Sequence, residues 1–229
     1  MALSAQIPTI SLTPHRVQNK SLNRYKVNIG SGISGAPGWY NIDNSPTIPL
    51  SRIPLVRRLA RIPAWPADVH RHDVRKGLPF PGSSVSYVYS SHTFEHFSWN
   101  ESLAITRECF RVLEPGGVFR VAVPDLGLMV REYLQNGSAM ASHELLQRLS
   151  LNHGLADLVH PGANHSQMFD EKSLLHLFRQ AGFANPEVRG FMQSRIPDIS
   201  MIELEVRKRE SLYVEGERQI SQSSVSGSP

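Results

Sequence analysis

Apolar and polar positions fall into short blocks of two kinds along the chain. Residues 26–29 (Lys-Val-Asn-Ile) make a β-type run that stops at Gly30, and residues 39–43 (Trp-Tyr-Asn-Ile-Asp) make a second. Residues 69–73 give a weaker third, ending on Asp73. Residues 85–90 (Val-Ser-Tyr-Val-Tyr-Ser) are rich in β-branched and aromatic side chains after a Gly-Ser turn, and residues 118–123 form a fifth run closed by Pro124. Between the last two, Leu103, Ile105, Cys109, Phe110, Val112 and Leu113 recur at helical spacing behind a Ser98 or Asn100 cap. Pro115, Gly116 and Gly117 are expected to stop that helix. Further helices are expected over 126–134, over 142–151, and from the Asp170 cap to Gly182; 186–191 and 211–215 are the last strand candidates. Strands alternating with helices predict an α/β fold with a mostly parallel central sheet and helices on both faces. Ligands of such folds sit beyond the carboxyl ends of the strands.

Organisation and class follow from the remaining segments. Residues 1–24 mix prolines with polar residues and read as an irregular arm; 219–229 is mostly Ser, Gln and Gly and reads as a disordered tail, leaving one domain over 25–218. The longest apolar runs fall well short of the ~18 residues of a membrane span. Residues 1–6 carry no basic side chain, so no secretory signal is expected. The single cysteine, Cys109, excludes an intramolecular disulfide and a multi-thiolate zinc cage, and a cytoplasmic location is expected. The balance of 24 basic and 20 acidic side chains is mild. No nucleic-acid partner is expected, because such binders mass basic residues on one face.

Candidate chemistry clusters at the strand ends. Gly30, Ser31 and Gly32, with Gly35 beyond them, come directly after the first strand; glycines there let the backbone turn sharply and lie against a ligand. Asp43, at the end of the second strand, is placed to accept both hydroxyls of a ribose, or to serve as a turn residue. Only residues 31–38 separate those strands, too few for a full crossover helix. Asp73 ends the third strand and could accept an exocyclic amine.

The ordered motifs resemble a known family. They are Asn28-Ile-Gly-Ser-Gly32, Gly38-Trp-Tyr-Asn-Ile-Asp43, Asp73-Val-Arg-Lys-Gly-Leu-Pro-Phe80, Val88-Tyr-Ser-Ser-His-Thr-Phe-Glu-His96 and Arg111-Val-Leu-Glu-Pro-Gly-Gly117. Together they are similar to class I S-adenosylmethionine-dependent methyltransferases, in particular the small bacterial type associated with sugar and polysaccharide pathways. The resemblance implies a Rossmann-like fold with a vestigial first helix and S-adenosyl-L-methionine as cofactor. It implies that Gly30, Ser31 and Gly32 wrap the methionine part, Asp43 holds the ribose, Asp73 and Val74 bind adenine, and Ser91 lines the site near the methionine moiety. The family often has an acid where Asn28 stands. The implied reaction is methylation, with oxygen as the expected atom, of a sugar, glycan or other small molecule.

Methyl transfer to a hydroxyl is helped by a base. His96 with Glu95 is the economical choice, with His92, Asp125 and His165 as further candidates; a histidine satisfied at a helix start is the bland alternative for His96. No metal is expected. Residues 92–96 also match the H-x-x-E-H pattern of zinc peptidases, with Glu144 or Glu171 as nominal third ligands, although a strand precedes them directly. A nicotinamide dehydrogenase is disfavoured because Asp43 lies too close to the glycines. A cofactor-binding module without turnover is the alternative from another class. Arg52, Arg57, Arg58 and Arg61 sit in a basic amphipathic stretch with no acid between Leu50 and Ala67. A solvated helix over the sheet edge is expected there, and a contact with an anionic acceptor or a membrane surface is the functional alternative. Cys109 falls on an apolar helix face and is expected in the core.

Overall fold

In the computed structural model, residues 24–136 and 165–219 are described. The helix expected over 142–151, Glu144, and most of the arm and tail lie outside them. The strands are β1 (Tyr25–Ile29), β2 (Tyr40–Asp43), β3 (Val69–Arg71), β4 (Val85–Ser91), β5 (Leu113–Pro124), β6 (Glu187–Arg189) and β7 (Ser211–Glu217). They form one seven-stranded sheet in the order β3-β2-β1-β4-β5-β7-β6. β3, β2, β1, β4 and β5 run parallel, whereas β7 pairs antiparallel with both β5 and β6. The strand order reverses between β1 and β4, so a crevice opens beyond their carboxyl ends.

Five described helices accompany the sheet: α1 (Thr47–Ser51), α2 (Pro54–Leu59), α3 (Trp99–Val112), α4 (Leu126–Asn136) and α5 (Glu171–Ala181). α3 starts at a capping box in which Ser98 and Glu101 satisfy each other's backbone donors, and α5 starts at another made by Asp170 and Ser173. α5 ends at Gly182 in the left-handed conformation. α3 and α5 bury Ile105, Cys109, Val112, Leu174, Leu177 and Phe178 against Val88, Phe119 and Val121 of the sheet. Cys109 is a core residue, as expected, and burial pushes its thiol pKa up.

Neighbouring residues on β4 and β5 point to the other face. There Tyr89 and Val118 pack with Ala36, Trp39, Ile196, Ile199 and Ile202. Among the described residues, loops and 3₁₀ turns contribute the residues of this second cluster. Polar groups fasten it. Arg120, fully buried in β5, donates through Nε to Glu203 Oε1 (2.5 Å) and through Nη1 to Glu215 Oε1 (3.1 Å). It also donates to the carbonyls of Gly190 (2.9 Å) and Gln193 (3.1 Å), and its guanidinium lies 4.8 Å from the Tyr213 ring. Glu203 in turn accepts from Met192 N, and Glu215 from Arg195 N. The segment from 190 to 203 is thus tied to the sheet by several bonds of Arg120, beside the Lys26–Asp198 ion pair to β1 and the bonds of Ser194 and Arg195 to Glu215.

The short first crossover contains no helix, in line with its length; residues 30–39 are turns and bends. A buried amide takes over the closing role: Asn41 accepts from Ala36 N (2.8 Å) and Asn28 Nδ2 (3.0 Å), and donates to Ala36 O, Trp39 O and Asp68 Oδ2. Two local expectations, at the ends of α3 and β3, needed correction. α3 ends at Val112 before the Pro-Gly-Gly sequence, because Leu113 is already extended and pairs with Val85. Pro115, Gly116 and Gly117 instead lie inside β5, where the register shifts before Val118 meets Tyr87. β3 stops at Arg71, and Asp73 caps the 3₁₀ turn Val74–Lys76.

Arg120→Leu would leave two carboxylates buried without their cation, and removing one partner of a buried pair costs about 3–5 kcal/mol. Urea unfolding should show a loss of that order; a loss below about 1 kcal/mol would mean that the 190–203 segment is held by its apolar contacts and its other polar ties, such as Lys26–Asp198, without need of Arg120.

Candidate functional site

A cavity of about 560 Å³ opens at the carboxyl ends of β1, β2 and β4, within the ~300–1,000 Å³ range of small-molecule sites. Its floor is the loop after β1. Gly30 and Ser31 both donate to Ile42 O (2.8 and 3.1 Å), which pulls the loop over the end of β2. Gly30 has φ +68°, and a Cβ there would lie 2.0 Å from Thr93 Oγ1. Thr93 is itself held, donating to Ser91 O at 3.0 Å. Gly32 has φ +58° and open space where a Cβ would stand. The loop therefore needs glycine at 30 for clearance and at both positions for conformation.

Asp43 lies beside this floor. Its Oδ2 accepts from Gly32 N (3.1 Å) and its Oδ1 from Ser45 N (2.8 Å). It is a turn residue and a cavity residue together: each oxygen has one backbone donor and keeps capacity for a ligand hydroxyl. Asp73 and Val74 line the cavity from β3's end. Asp73 accepts from Arg75 N, Nε and Nη2 at 2.9–3.1 Å, and this neighbouring guanidinium holds its carboxyl below the usual carboxylate range. Asn28 borders the cavity with its Nδ2 committed to Asn41.

The opposite wall comes from β4 and the turn that leads from it into α3. Ser91 is the last residue of β4 rather than a residue past it. His92 has φ +48°, uncommon away from glycine; its Nε2 lies 2.8 Å from Ser211 Oγ and its Nδ1 3.5 Å from Glu95 Oε1. His96 ends the 3₁₀ turn Phe94–His96, three residues ahead of α3, so it is not a helix-start histidine. Ser91, His92 and His96 all face the cavity. Glu95 is 1% exposed and sits behind that wall.

His165 reaches this cluster from far along the chain. Ser166 N and Gln167 N both donate to Glu95 O (2.7 and 3.2 Å), and Ser166 Oγ to His96 O. These bonds place the His165 ring centroid 5.3 Å from that of His96, edge to face. Glu95, His96 and His165 each bring one ligating atom to within 4.8 Å of the others. Such a trio can relay a proton or hold a cation. It is not the zinc-peptidase arrangement, which needs both histidines of the motif on one helix: His92 lies outside the turn that carries His96. Asp125 caps α4's first turn, accepting from Leu128 N and pairing with Arg131.

Several lining residues had no motif to announce them. Tyr89 projects from β4 and Thr93 and Phe97 from the turn beyond it, while Ile202, Leu204 and Arg207 arrive from the layer anchored by Arg120. Burial pushes the Tyr89 phenol pKa up, keeping it a neutral donor.

Comparison with known proteins points the same way. Residues 41–121 match the family model described as a methyltransferase domain. A Mycolicibacterium smegmatis protein named as a probable S-adenosylmethionine-dependent methyltransferase is 44% identical over 59 residues, covering 24% of this chain and 22% of that protein. The chain thus matches about a fifth of the length of that curated relative. Among solved structures, a Thermotoga maritima S-adenosylmethionine-dependent methyltransferase is 19% identical, covering 85% of this chain and 82% of that one, with a TM-score of 0.47. A Mesorhizobium loti S-adenosylmethionine-dependent methyltransferase is 18% identical, covering 85% and 90%, with a TM-score of 0.46. Likeness at that level bears on neither the acceptor nor the roles of individual residues.

The floor of the cavity gives a direct test. Gly30→Ala should lower stability by at least ~1–3 kcal/mol, since the new methyl meets Thr93 and the backbone is left-handed. A melting temperature equal to the parent's would show that the loop can move away from β4.

Proposed function

We propose that this chain, which carries an S-adenosylmethionine-dependent methyltransferase domain with the class I α/β fold, transfers a methyl group to a hydroxyl oxygen of a small-molecule or glycan acceptor. The observation that carries the proposal is one cavity bounded on one side by the Gly30–Asp43 floor and on the other by His96. The glycan class, and with it a role in polysaccharide assembly, rests on the resemblance of the ordered motifs.

Bound S-adenosylmethionine supplies a sulfonium methyl group, already activated for displacement. The chain's own part is binding, orientation and proton management. The Gly30–Gly32 backbone would hold the methionine portion, its turn kept open by glycine at 30 and 32. Asp43 accepts the ribose hydroxyls with the lone pairs that Gly32 N and Ser45 N leave free. Asp73 receives the adenine amine beside Val74, with Arg75 keeping the carboxyl ionised. Ser91 borders the methionine end. Phe97, Ile202 and Leu204 give the cavity apolar wall.

His96 is the general base. It faces the cavity from the turn after β4, where an imidazole nitrogen can accept a hydroxyl proton. Glu95 and His165 behind and beside it orient the ring and share the proton. His92, tied to Ser211, shapes the wall. No metal enters this mechanism.

The test is a screen of sugar and glycan acceptors with methyl-labelled S-adenosylmethionine. On an accepted substrate, His96→Ala should lower turnover by ~10²–10⁴, leaving S-adenosylhomocysteine affinity and melting temperature near the parent's. Full turnover at unchanged stability would remove His96 from the chemistry. Chelator-treated protein should keep its rate; a rate lost to chelation and restored by one divalent ion would make Glu95, His96 and His165 a cation site. Cofactor binding with no methyl transfer to any acceptor would favour a binding module.

A further inference from the structure

Between β2 and β3 the chain builds two short helices that contribute little to the core. α2 buries none of its residues. Its apolar side chains and those just before it face solvent: Leu59 is 76% exposed, Leu55 68%, Ile53 49% and Leu50 42%. The expectation of a helix laid over the sheet edge is therefore met only in part. Pro54 splits the segment, Ile48 and Ser51 of α1 are buried, and Arg52 donates to Val69 O of the edge strand.

Charge singles out the same stretch. Arg52, Arg57, Arg58 and Arg61 lie between residues 44 and 67, which contain no acid. The chain's formal net charge is +4, so this stretch carries the whole surplus and the remainder balances to zero. All four arginines are exposed, and among the described residues no ion pair engages Arg57, Arg58 or Arg61.

We propose that residues 50–61 are a docking face for an anionic lipid bilayer. A helix that serves its own domain turns its apolar stripe inward; here the leucines point out among guanidinium groups. That combination suits the bilayer interface, where leucines enter the acyl boundary while arginines stay with lipid phosphates. A nucleic acid would match the arginines and leave Leu55 and Leu59 in water; a second copy of the chain would cover the leucines and bring like charges together. The face comes directly after Asn44, Ser45 and Pro46, which line the cavity, so docking holds that wall next to the bilayer. The proposal stands independently of methyl transfer.

The experiment is sedimentation of the full chain with phosphatidylcholine vesicles, with and without phosphatidylglycerol, at low and high salt. Binding is expected only with phosphatidylglycerol present and should weaken with salt. Arg57→Gln with Arg58→Gln should reduce partitioning about tenfold or more. Leu55→Ser with Leu59→Ser should reduce it at unchanged charge. Both double variants should keep the parent's melting temperature and S-adenosylhomocysteine affinity. Absence of binding to anionic vesicles overturns the proposal, as does binding that the leucine variant leaves unchanged, which would make the contact purely electrostatic. Self-association that is lost in the leucine variant, with no vesicle binding, would assign the face to a second copy.

Discussion

One buried guanidinium gathers four of the polar ties between the sheet and its second layer. The first face of the sheet is covered by amphipathic helices, whose burial is its own driving force. Among the described residues, the second face carries the irregular chain of 190–203, whose backbone groups need partners. Arg120 supplies those partners from the middle of β5, to two carboxylates and two carbonyls at once. Burying one cation with two carboxylates is not inherently stabilising. Its value is geometric, since it admits one arrangement of the 190–203 segment and therefore one placement of Ile202 and Leu204 at the cavity.

The cavity floor obeys a different constraint, steric rather than electrostatic. β1 and β4 are neighbours, and the loop leaving β1 must pass Thr93 with no room for a side chain. That clearance lets the loop's backbone, rather than side chains, face the ligand. Asn41 makes the short crossover feasible, closing residues 30–39 against β2 where a helix would otherwise be needed. The floor and the Arg120-anchored layer thus meet around one ligand-sized space, with His96 between them.

Much of this was legible in the sequence, because the parts that define the fold class are local. Strand runs, the Ser98 and Asp170 caps, and the glycines after β1 each leave a short signature, and most recur in the structure within a residue or two, β5 excepted, which starts five residues before its run. The cavity residues at strand ends were legible for the same reason. Long-range partnerships were not. Arg120 was visible only as a lone charge within an apolar run, and nothing local names Glu203 and Glu215 as its partners. His165 stood out as a loop histidine, but its approach to His96 depends on backbone bonds from Ser166 and Gln167 to Glu95. α2 was anticipated only in part, because amphipathicity shows which residues differ, not which side the protein covers.

The central claim is that the cavity over the Gly30–Asp43 floor receives S-adenosylmethionine, with Asp43 on its ribose. The most direct measurement is calorimetric titration of S-adenosylhomocysteine into the full chain and into Asp43→Asn, which keeps an acceptor for one backbone donor. The account predicts one molecule bound per chain, and an affinity lowered roughly ten- to hundredfold in the variant at an unchanged melting temperature. No binding by the folded parent chain, or NADH binding in its place, would contradict the claim; equal affinity of parent and variant would leave Asp43 a turn residue only.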